Sequence, residues 1–136
     1  MKYSLLYNLN PADRIVGPLF QTGLTKHHAI FLGEDDLGQE WIAENHYIEG
    51  VRVIPASMFF KTNKIDRIER FKGNNYQRRM AIEKAQRLIG KPYNLFTYNC
   101  EHYANEVLNG KVESRQVATF FAIAIGALFI GMAASD

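Results

Sequence analysis

The sequence predicts an α+β fold, an antiparallel sheet of about four to six strands packed with helices. Two observations carry this expectation. Before residue 60, short runs of alternating or β-branched residues are separated by Gly, Pro, Asn and Asp. After residue 75, apolar residues recur at helical spacing.

The elements follow in order. Asp13 to Gly17 is a short extended piece after Asn10-Pro11. His27 to Gly33 (HHAIFLG) alternates and ends at glycine; Trp41 to His46 and Val51 to Pro55 read as two further strands. Glu34 to Glu40, with Asp35, Asp36 and Gly38, is the loop of an antiparallel pair. Ile65, Ile68 and Phe71 are spaced by three, which leaves strand and helix both open for that stretch. Asn75 to Ile89 carries Met80, Ile82, Ala85, Leu88 and Ile89, close to a helical stripe, and Gly90 ends it. Tyr93 to Tyr98 is aromatic and irregular. Asn99 to Leu108 then reads as a helix, with Asn99 as its N-cap and Gly110 just past its end.

Totals narrow the function classes. With 136 residues the chain fits one domain able to bury a core without staples. A single cysteine rules out an internal disulfide and a cysteine-based metal cluster, and no metal or cofactor is expected. The apolar run at the N-terminus is too short for a signal peptide. Net charge is +2, unevenly spread: residues 1–60 carry −3, residues 61–91 carry +7 and residues 92–136 carry −2. The basic stretch suits phosphates of lipid headgroups or nucleic acid. It suits a solvated helix face equally well, and nucleic acid is not among the expected partners.

Cys100 carries the chemistry. It stands one residue after the expected N-cap, where first-turn N–H groups and the positive helix end favour a thiolate, the reactive form. The bland alternative is a small buried hydrophobe. A nucleophilic cysteine needs a base. His27 and His28 are adjacent on a strand, so their side chains point to opposite faces and only one can meet Cys100. His102, two residues beyond Cys100 on the helix, faces away from it, and His46 ends a strand at the surface. A third group normally accepts the imidazole N–H. Glu44 and Asn45 on the following strand are the candidates, and strand parity allows one of them.

HHAIFLG and NCEHYANEVLNG together resemble the lecithin retinol acyltransferase-like family, a circularly permuted branch of the papain-like NlpC/P60 cysteine hydrolases. The likeness runs from about Asp13 to about Val117, and the order, His before Cys, agrees with the permutation. The resemblance implies that the nucleophile is Cys100 and the base His27. The third polar residue falls on Glu44, where relatives often carry histidine, with Asn45 as the alternative. It further implies acyl transfer through a Cys100 thioester, with a phospholipid as donor and water, an amine or an alcohol as acceptor. A cysteine peptidase or amidase of the same superfamily, or a non-catalytic membrane adaptor, are the competing readings.

Val117 to Ala134 is 18 residues without a charge. As a helix it would reach about 27 Å, the short end of a membrane span. The expected organisation is therefore a catalytic domain over 1–114 and a hydrophobic membrane-anchor helix over 115–136. Lys111 and Arg115 place the domain on the cytoplasmic side. Ala118, Ala122 and Gly126 put small residues at four-residue spacing, which would allow two copies to pair as a homodimer through the tail. A helix buried against the domain is the alternative.

Overall fold

The computed structural model of the chain describes residues 2–19, 26–118 and 122. The elements in chain order are α1 (Tyr3–Leu6), β1 (Arg14–Pro18), β2 (Lys26–Glu34), β3 (Glu40–His46), β4 (Gly50–Pro55), α2 (Ala56–Thr62), β5 (Arg67–Glu69), α3 (Asn75–Arg87) and α4 (Cys100–Asn109). The five strands form one antiparallel sheet in the order β4-β3-β2-β1-β5. β1 to β4 are neighbours in sequence and in space, as short connections favour.

Strand parity divides the core in two. Ile30, Ala43 and Val51 point to one face, where Ala81 and Ala85 of α3 and Tyr103, Ala104 and Val107 of α4 cover them. Ile15, Ala29, Phe31, Ile42 and Ile54 point to the other, under Ala56 and Phe59 of α2 and the ring of Tyr3 from α1. Because both faces are covered, β2 is buried at five consecutive positions, His27 to Phe31.

The three-residue spacing of Ile65, Ile68 and Phe71 resolves as a strand. Arg67–Glu69 pairs with β1, whose outer edge would otherwise be unpaired. The stripe expected on α3 is corrected in part. Ala81 and Ala85 are its buried residues, while Met80 and Ile89 are 40% and 52% exposed. The helix stops at Arg87, two residues before Ile89. Its cap is Asn74, whose side chain accepts from the Gln77 N–H while Gln77 accepts from the Asn74 N–H. Helices α1 and α2, four and seven residues long, are too short to show a period and were not expected.

The predicted tail helix lies outside the described residues from position 119 onward, residue 122 excepted. Among the described residues no helix is long and apolar enough to cross a membrane.

Candidate active site

Helix α4 begins at Cys100 because Asn99 caps it. The Asn99 side chain accepts from the N–H groups of Glu101 and His102 at 2.9 and 3.0 Å, and His102 Nδ1 accepts from the Asn99 N–H at 2.9 Å. The cap thus occupies two first-turn donors and leaves the Cys100 N–H without a partner among the described residues. At the other end Gly110 closes the helix at φ +74°, a conformation glycine adopts without strain. Asn45 fixes the start of α4 on the sheet, its amide donating to the carbonyls of Tyr98 and Asn99 at 2.8 and 3.3 Å.

His27 is the second residue of β2, at the end of the sheet, where the first residue of α4 can reach it. The Cys100 thiol donates to the Lys26 carbonyl at 3.5 Å. Glu44 lies diagonally across the β2–β3 pair, on the same face as His27. Its Oε1 accepts from His27 Nε2 at 2.6 Å. Its Oε2 is held by Arg52 of β4, from Nε at 2.9 Å and from Nη2 at 2.7 Å. Glu44 and Arg52 are direct cross-strand partners, so the β2–β3 and β3–β4 registers together set these contacts. Phe59 of α2 stacks on the His27 ring at 6.0 Å between centroids.

These contacts set the charge of the site. Burial alone would lower the His27 pKa, but the hydrogen bond and charge of Cys100 and then those of Glu44 outweigh it and raise it to about 9. With Nε2 taken by Glu44, Nδ1 is the ring nitrogen left for Cys100; it is buried and makes no hydrogen bond among the described residues. Burial would raise the Glu44 pKa. His27 and Arg52 reverse that, so the carboxylate stays ionised. The result is an Arg52–Glu44–His27 chain of hydrogen bonds, with Cys100, only 1% exposed, close enough to the ring to shift its pKa.

His28 takes the opposite face. Its Nδ1 is 3.3 Å from Arg14 Nη1 and its Nε2 is 3.6 Å from Glu101 Oε2. Burial, and then the Arg14 charge, hold its pKa down at about 4, so it is neutral near pH 7. His46 caps the β3–β4 turn, accepting from the Ile48 and Glu49 N–H groups. Asn45, on the α4 side of the sheet, does not approach the His27 ring.

Two residues escaped the sequence reading. Arg52 could have been found by pairing VRVIP against WIAENH, which sets it opposite Glu44. Tyr93 is close enough to Cys100 to feel its charge: burial first, then that charge, push the phenol up to about 12, so it remains a hydrogen-bond donor. Its only signal was the aromatic segment just before the Cys100 helix. Among the described residues no group of three or more His, Cys, Asp or Glu side chains is placed to hold a metal ion.

No curated protein matches the chain, and no solved structure does. A family profile does, over residues 4–107: the permuted papain-like amidase enzymes YaeF/YiiX, the C92 family of peptidases. The match corrects the narrower resemblance, because it supports the permuted papain-like superfamily without singling out the acyltransferase-like branch. The chain, covered over most of its length, belongs to the permuted papain-like amidase family C92.

Proposed function

We propose that the protein is a cysteine amidase or peptidase in which Cys100 is the nucleophile, His27 the general base and acid, and Glu44 the group that orients the imidazole. The observation that carries this reading is the line of hydrogen bonds from Arg52 through Glu44 to His27, with Cys100 at a helix start near enough to raise the pKa of that ring. The Cys100 thiolate attacks the amide carbonyl carbon. The Cys100 N–H, with Tyr93 as a nearby donor, faces the oxygen that gains charge. Imidazolium at His27 gives its proton to the leaving amine as the C–N bond breaks. Water then attacks the thioester, losing a proton to His27, and the acid is released with Cys100 restored. Glu44 keeps Nε2 protonated, so Nδ1 is the nitrogen that exchanges protons with sulfur and substrate. Cys100 is buried, so a substrate must displace its cover to reach the sulfur.

The same thioester could form from a phospholipid ester. The uncharged stretch from Val117 to Ala134 is the observation that favours this second reading. Incubation with acyl-amide substrates and, separately, with mixed phospholipids distinguishes the two, read by intact-protein mass spectrometry. The expected result is an acyl mass on Cys100 from the amides, released by hydroxylamine and absent in Cys100→Ala. Acylation by phospholipids alone would transfer the assignment to the ester reading, and no adduct with either would remove Cys100 as nucleophile.

A further inference from the structure

A cavity of about 890 Å3 opens on the side of the molecule formed by β5, the 70–73 connection, α3 and the end of α4. None of Cys100, His27 or Glu44 lines it. Its volume is that of a small-molecule site. Five cations line it, Arg14, Arg70, Lys72, Lys84 and Arg87, against one carboxylate, Glu69. Two of the five are matched: Arg14 lies 3.9 Å from Glu69, and Arg70 bonds Asp13 at 2.8 Å. Lys72, Lys84 and Arg87 have no carboxylate partner among the described residues.

A solvated helix face would spread such charges along one element. Here Lys72 comes from a connection and Lys84 and Arg87 from the last turn of α3, and the three converge on one concavity. Arg14, only 8% exposed, contributes a guanidinium that Asn105 fixes at 2.6 Å. The two ammonium groups of Lys72 and Lys84 and the guanidinium of Arg87, none of them paired with a carboxylate among the described residues, suit the several oxygens of a phosphate. Most of the remaining wall is apolar, with Ala81 and Val107 buried and the exposed ring of Tyr76 and the side chain of Met80 beside them; Gln77 and Asn109 are its polar members. We propose that this cleft is a second binding site, distinct from Cys100, for a phosphate-bearing ligand with an apolar portion.

The phosphate could belong to a lipid headgroup or to a free molecule, and the test separates them. Full-length protein is titrated with inorganic tripolyphosphate, and separately with phosphatidylcholine vesicles containing or lacking phosphatidylglycerol. Wild type is compared with K72Q/K84Q/R87Q and with K61Q/K64Q/R79Q, which removes equal charge outside the cleft. Thermal unfolding verifies that both variants fold. The expected result is saturable binding by wild type, weakened at least about tenfold in the cleft variant and kept in the control. A difference confined to phosphatidylglycerol vesicles assigns a headgroup, and one confined to tripolyphosphate a free phosphate. Equal weakening in both variants, or no binding of either probe by wild type, overturns the site.

Discussion

His27 and His28 are chemically identical neighbours with opposite environments. One is held beside a thiol and a carboxylate, which raises its pKa to about 9; the other is buried beside Arg14, which holds its own at about 4. If His27 works as imidazolium, turnover should fall on the alkaline side through about pH 9, where that proton is lost. Replacing Glu44 with glutamine removes one of the interactions that raise the pKa, so the alkaline limb should move to lower pH. The rate should also drop roughly 10²- to 10⁴-fold as the ring loses its fixed tautomer. A pH–rate profile of both proteins checks this, and an unmoved limb would separate Glu44 from the titration. His28→Phe should keep most turnover while costing about 1–2 kcal/mol of stability, the value of its contacts to Arg14 and Glu101. Activity assays alongside denaturant unfolding read the two effects apart.

At the scale of elements, the first turn of α4 is capped by one side chain. Asn99 caps two N–H groups, and its amide also donates to the Leu95 carbonyl and to Ser114. Asn99→Ala should therefore destabilise the fold by about 1–2 kcal/mol, measured by chemical denaturation. Turnover should fall too, since Cys100 is the next residue. This helix was legible from its ends, because Asn99 and Gly110 are local signals read without knowing the fold. The strands from β1 to β4 were legible to within a residue or so for the same reason, with turn residues bounding each. Arg67–Glu69 was not, because what makes it a strand is the open edge of β1, a partner far away in sequence. Nor were α1 and α2, whose few residues are fixed by packing on Phe31 and Ile42 and leave no period of their own.

Over the whole molecule, the sheet sits between two helical layers and β2 is its central strand. Amide hydrogen exchange should be slowest in β2 and β3, which are paired on both sides and covered on both faces, and fastest at the edge strand β5. Exchange as fast at Ile30 as at Ile68 would contradict that layering. Parity also explains which parts of the site could be read early. Alternation limits the partner of His27 to one of Glu44 and Asn45, and the pairing of Ala29 with Glu44 is what puts Glu44 on its face. The Glu44 contact with Arg52 needs the register of a third strand, and the basic cleft needs two helices and a connection brought together. Cys100 is the chain's one cysteine and is 1% exposed. The molecule therefore carries its own chemical timer. Its rate of modification by a thiol reagent measures how often the sulfur is uncovered, with no engineered label. Where that rate is indifferent to low denaturant, it counts the local openings a substrate would use. Where it climbs with denaturant, it counts release of α4 from the sheet. A single trapping experiment thus separates the gate from the fold.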